Sequence, residues 1–119
     1  MAADTYDLTI DQGADWTWTI RWKVGANERR AELKDTTGYT ARMQVRQKYD
    51  SLNPVISLTT ENGLIELGSD GSFQLNIPSS VTEDLPPGKF VYDFEAVSPE
   101  GFVTKLVRGT FRVVPEVTR

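Results

Sequence analysis

From Asp15 to Val24 the chain reads Asp-Trp-Thr-Trp-Thr-Ile-Arg-Trp-Lys-Val, with an apolar residue at every second position. Side chains of an extended strand alternate between its two faces. Trp16, Trp18, Ile20, Trp22 and Val24 therefore point one way, and Thr17, Thr19, Arg21 and Lys23 the other. A helix would scatter the same residues around its axis, so the segment is a strand with one buried and one wet face. All three tryptophans of the chain lie on that one face. Two uses fit such a stripe: an aromatic platform for a sugar or a base, or the inner wall of a sheet covered by a second sheet. Ile20 and Val24 share the face, and aliphatic residues there favour burial.

The same period recurs along the chain. Tyr6, Leu8 and Ile10 form a short run before Gly13. Tyr39, Ala41, Met43 and Val45 alternate with Thr40, Arg42, Gln44 and Arg46. Val55 to Thr59 is a short strand after the Asp50-Ser51-Leu52-Asn53-Pro54 turn. Leu64 to Leu67 and Phe73 to Ile77 flank Gly68-Ser69-Asp70-Gly71, a hairpin signal. Phe90, Tyr92, Phe94 and Ala96 alternate with Val91, Asp93, Glu95 and Val97. Phe102 to Val114 is the last long strand, where Gly109 marks an expected bulge. Ala26 to Asp35 is polar and reads as a loop or hairpin connection. Pro78 to Leu85 is the one candidate helix, with Ser79 or Ser80 as cap and Pro86-Pro87-Gly88 as stop. The pattern predicts an all-β fold, a β-sandwich or small barrel, as one domain over residues 1–119, with about seven to eight mostly antiparallel strands and one short helix.

Composition narrows the chemistry. The chain has no cysteine and no histidine. Disulfides, thiolate metal sites and histidine-based nucleophilic catalysis are thereby excluded. A net charge of -4 makes nucleic acid an unexpected partner. No apolar run reaches the length of a membrane span, and the first residues lack the basic and apolar regions of a secretory signal. The glycines form no phosphate-binding loop. Asp4, Asp7, Asp11 and Asp15 recur near the start without the glycine-interrupted spacing of an EF-hand. Asp93 and Glu95 share a strand face, where they are expected to meet Lys105 and Arg108 across a hairpin rather than flank a glycosidic bond. No catalytic, metal or cofactor site is expected, and the chain reads as a non-enzyme.

Several phrases occur together in a telling order: Leu8-Thr9-Ile10-Asp11-Gln12-Gly13, the aromatic strand, Asp35-Thr36-Thr37-Gly38-Tyr39 running into Arg42-Met43-Gln44-Val45-Arg46, Gly88-Lys89-Phe90-Val91-Tyr92-Asp93, and Gly101 to Val113. This order resembles small virion proteins of tailed bacteriophages, in particular the N-terminal domain of baseplate upper proteins, over nearly the whole chain. The resemblance implies an immunoglobulin-like sandwich, non-enzymatic, that acts in the tail or baseplate after assembly in the bacterial host cytoplasm. Capsid decoration and the head-tail junction are alternative locations, and a carbohydrate-binding module is an alternative function. Partners would be other virion proteins, including further copies of the chain, with no nucleic acid and no membrane. Met1 to Asp7 and Val114 to Arg119 offer little to a core and are expected to be mobile until a neighbour orders them. Arg108, Arg112 and Arg119 would then pair with Asp4 and Asp7 of that neighbour.

Overall fold

The computed structural model of the chain describes residues 4–24, 32–68 and 71–118. Their backbone forms strands β1 (Asp4–Thr5), β2 (Leu8–Asp11), β3 (Trp16–Arg21), β4 (Lys23–Val24), β5 (Glu32–Leu33), β6 (Thr40–Arg46), β7 (Ile56–Thr59), β8 (Ile65–Leu67) and β9 (Ser72–Ile77). One helical turn, α1 (Ser79–Thr82), precedes β10 (Gly88–Val97) and β11 (Val103–Val114). Among the described residues eight strands are three or more residues long, which is the expected number.

The strands build two layers. The larger sheet runs β1-β11-β10-β6-β7, with β2 continuing along the same edge of β11 as β1. The smaller sheet runs β3-β9-β8, and β4-β5 is a separate ribbon. Among the described residues only β1 and β2 pair in parallel, both with β11. The result is an all-β sandwich. Its connectivity is immunoglobulin-like, with the first strand crossing over to flank the last.

Alternation places the core as the sequence requires. Ala41, Met43 and Val45 of β6, Tyr92, Phe94 and Ala96 of β10, and Phe111 and Val113 of β11 are buried from one side. Ile20, Ile65, Phe73, Leu75 and Ile77 meet them from the other. The Phe73 and Phe94 rings touch edge to face across the layers, 5.4 Å between centroids, a favoured aromatic geometry.

Four expectations need correction. The tryptophan segment is not one strand: it breaks at Trp22, and Lys23–Val24 pair with Glu32–Leu33 in the ribbon. Gly109 is not a bulge. The register of β10 against β11 slips between Phe94 and Glu95, so that Phe94 faces Val107 and Glu95 faces Lys105, which leaves Leu106 as the extra residue. Gly109 serves close approach instead: a Cβ there would lie 2.2 Å from the Tyr6 carbonyl oxygen. Third, neither Ser79 nor Ser80 caps α1. The N-cap is Pro78, which has no side-chain donor or acceptor, and the Ser79 N–H donates to Asp15 Oδ1 at 2.6 Å. The cap is supplied from the β2–β3 turn because proline at that position cannot supply it.

The fourth correction concerns the chain ends. Residues 4–7 are tied to β11 within the chain: Tyr6 N donates to Arg108 O at 2.9 Å, and the Tyr92 hydroxyl donates to Tyr6 O. At the other end Glu116 N donates to Gln12 Oε1 at 3.0 Å. Backbone pairing holds the first segment on β11, and a backbone-to-side-chain bond holds the second as far as Glu116, both without a neighbour. Residues 1–3 and Arg119 lie outside the described residues.

One buried polar group joins the layers. Thr82 is fully buried, and its hydroxyl donates to Ala14 O (2.8 Å) and accepts from Gly13 N (3.1 Å). Thr82→Val keeps the shape but leaves both backbone groups unpaired. The expected cost is about 1–3 kcal/mol, read as a lower urea midpoint with an unchanged slope.

Candidate functional site: the outer face of the larger sheet

Alternation that buries one face of β6, β10 and β11 turns the other outward. Arg42, Gln44 and Arg46 of β6 stand beside Val91, Asp93 and Glu95 of β10. Thr110, Arg108 and Lys105 of β11 stand on the far side. The acidic central strand is thus flanked by two basic ones.

Lys105 Nζ reaches Asp93 Oδ2 at 2.8 Å and Glu95 Oε2 at 3.1 Å. Arg42 Nε donates to Glu95 Oε1. The bulge makes this possible. Without the extra residue Leu106, the register would set Leu106 opposite Glu95 and turn it outward. With it, Leu106 is buried and Lys105 faces the carboxylates.

Burial raises the Glu95 carboxyl, but the Arg42 and Lys105 hydrogen bonds outweigh it and hold the pKa below the usual range. Lys105 is raised, mainly by its bond to Asp93, against a smaller effect of burial. The lowered Glu95 contributes stability that is present above the unfolded carboxylate pKa and lost as pH falls through the folded value. The raised Lys105 contributes stability that is present below the unfolded lysine pKa and lost as pH rises through the folded value. Exposed pairs are worth about 0–1 kcal/mol each. Glu95→Gln is therefore expected to lower the urea midpoint slightly at neutral pH and to match the parent in acid, once pH has fallen below the folded Glu95 value. Equal midpoints at both pH values would mean that the network adds no stability.

Arg46 was not singled out from the sequence. Its Nη1 donates to Ser51 O (2.7 Å) and Leu52 O (3.1 Å), and its Nη2 to Gln44 Oε1 (2.8 Å). It holds the β6–β7 turn, which presents Tyr49 and Leu52 almost fully exposed. A shallow depression of about 410 Å³ lies beside this turn, lined by Arg46, Tyr49, Val91, Asp93, Lys105 and Arg108.

The expected interface residues separate in the structure. Arg108 lies opposite Asp93 in register, but Lys105 takes the contact, and the Arg108 side chain has no ion pair among the described residues. Arg112 lies between Lys89 on β10 and Thr9 on β2. Asp4 is exposed in β1, opposite Val107. Asp7 is committed within the chain. Its carboxylate accepts from Thr110 N at 3.0 Å, and bonds from the Thr110 backbone and hydroxyl hold it below the usual carboxylate range. Arg119 lies outside the described residues.

The tryptophans turn inward and stop half-buried; Trp16 and Trp18 lie on β3, the edge strand of the smaller sheet among the described residues. Trp16 meets Phe111 and Trp18 meets Tyr92, each at 6.3 Å between centroids. Tyr6 stacks on Trp18 at 5.4 Å. Trp22 packs against Tyr39, with Lys34 Nζ 5.3 Å from its ring centre. Among the described residues no group of three or more acidic side chains is placed to hold a metal ion.

No protein-family model matches the chain, and no curated protein matches it in sequence. Among solved structures it is similar to CopC from Methylosinus trichosporium OB3b. The identity is 12%, over 100% of this chain and 90% of that one, with a TM-score of 0.46. A likeness that distant carries no argument about what this chain does.

Proposed function

We propose that the chain is a non-enzymatic structural protein of a tailed-bacteriophage virion, a component of its tail or baseplate. The observation that carries this reading is the outer face of the larger sheet. Three long adjacent strands present ordered charges on a broad, shallow surface, beside exposed Tyr49 and Leu52. A surface of that form suits contact with another protein better than enclosure of a small molecule. The phrases that resemble baseplate upper proteins run through the same strands β6, β10 and β11. The partners on this reading are other virion proteins and further copies of the chain. The inward turn of the tryptophans weighs against a carbohydrate platform, which needs ring faces open to solvent.

Imaging of intact particles with a bound antibody fragment against the chain tests the proposal. Label at the tail tip supports it. Label on the capsid alone moves the protein to a decoration role, and particles without label sink the virion reading.

A further inference from the structure

Charge on this molecule is sorted by surface. The outward positions of β6, β10 and β11 hold Arg42, Arg46, Lys89, Lys105, Arg108 and Arg112 against Asp93 and Glu95. The outward positions of these three strands thus hold six of the chain's 13 cationic residues and two of its 17 acidic ones, with Asp11 of β2 outward beside them and Asp7 bound to Thr110. The remainder of the chain has seven cations against fifteen carboxylates. An acidic protein thus carries a basic face, and the acidic remainder of a second copy is complementary to it.

The corner between α1 and β10 is the part of that remainder best shaped to dock. Glu83 and Asp84 are exposed and adjacent, and neither makes an ion pair among the described residues. Pro86 and Pro87 follow, also exposed, while Leu85 between them and the acids is buried and anchors the turn. The depression on the basic face is lined by Arg46, Lys105 and Arg108 together with Asp93 and Glu95, and these two carboxylates are already paired with Lys105 and Arg42. Among the described residues Arg108 makes no ion pair, and the acceptors of Arg46 are the neutral oxygens of Ser51, Leu52 and Gln44. Tyr49 lines the depression, and Leu52 follows in the same turn; they are 83% and 93% accessible.

We infer that the Glu83–Pro87 corner of one copy docks in the Arg46–Tyr49–Arg108 depression of the next. The acids meet the guanidinium groups, and the prolines cover Tyr49 and Leu52. Guanidinium groups bind carboxylates through paired charge-assisted hydrogen bonds. The two patches lie on different parts of the molecule, so the contact is head-to-side. Repeated, it closes a ring or grows a filament rather than a two-fold dimer. This deepens the assembly role proposed above and rests on it for its biological setting only, since association of the isolated chain is measured without particles.

Sedimentation velocity of the full chain at low ionic strength, over a wide concentration range, is the test. The sedimentation coefficient is expected to rise with concentration and to fall again on adding salt. Arg108→Glu, or the pair Glu83→Lys and Asp84→Lys, is expected to weaken association about tenfold or more. All three sites are exposed, so an unchanged thermal midpoint checks that the variants fold. Mixing the two variants is expected to restore association, because the reversed corner now meets the reversed face. A parent chain that stays monomeric at every concentration overturns the inference, as does association that neither variant weakens or that mixing does not restore. A monomeric chain that binds a poly-glutamate peptide through Arg108 assigns the face to a foreign acidic partner instead, and also overturns it. Particles without label would remove the virion role and leave these results standing.

Discussion

Replacing Phe94 by alanine is expected to cost about 3–5 kcal/mol, the range for emptying a fully buried aromatic site. Phe94 has no exposed surface and sits on β10, the strand with a partner on each side along most of its length. Met43 and Val107 face it in register, and Phe73 meets its ring from the smaller sheet. None of these can collapse into the space without moving a backbone held by ladder hydrogen bonds. Small domains have roughly 5–15 kcal/mol of stability in all, so about a fifth or more of the total is at stake. Urea denaturation monitored by far-UV circular dichroism measures the loss. A cost below about 1 kcal/mol would mean that the two sheets do not meet at this pair of rings.

The second large effect is expected at Gly109, where alanine should cost about 1–3 kcal/mol through overpacking. Its backbone is in no strained region, so the reason is space alone. The new methyl group would press on the Tyr6 carbonyl oxygen at 2.2 Å and its carbon at 2.8 Å, and backbone cannot swing aside as a side-chain tip can. Tyr6 would have to lift from β11. Three contacts go with it: Tyr6 N to Arg108 O, the Tyr92 hydroxyl to Tyr6 O, and Thr110 N to the Asp7 carboxylate. The effect is therefore local as well as global. Burial, and then the nearby Asp7 charge, push the Tyr92 phenol well above the ordinary tyrosine range. In Gly109→Ala the phenol is expected to titrate closer to that range, and Trp18 to lose its stacked Tyr6. Ultraviolet titration and a lowered thermal midpoint report the two effects separately. An unchanged phenol titration would show that the β1–β2 segment stays in place.

These two positions differ in how far the sequence discloses them. Phe94 stands at an inward place in the plainest alternating run of the chain, and its burial follows from period two alone. Gly109 lies in an equally clear strand, yet its role depends on which segment passes over it. That segment is about a hundred residues away in sequence, and nothing near Gly109 points to Tyr6. Asp15 is similar: its carboxylate caps a helix 64 residues on, where local reading looks to the serines beside the turn.

The candidate site divides along the same line. That Arg42, Asp93, Glu95 and Arg108 face away from the core was legible, because each lies out of phase with a buried neighbour. That Arg42 reaches Glu95 was not, since it needs β6 to lie beside β10. That Lys105 rather than Arg108 binds Asp93 depends on the single extra residue at Leu106, and Leu-Val in an alternating strand gives no sign of which residue will be surplus.

By itself, then, the sequence determined the elements that local sterics and hydrophobic period impose: the long strands, their inner faces, the turns at glycine and proline, and an all-β fold, sandwich or small barrel, to cover those faces. The tertiary structure alone decided which strands are neighbours, where β11 slips register, why β3 is an edge with half-covered tryptophans, and how the charges gather on one face. Period two is a property of a single strand and survives in the sequence. Pairing and register are set by the summed fit of two distant segments, and that sum is not written in either segment alone.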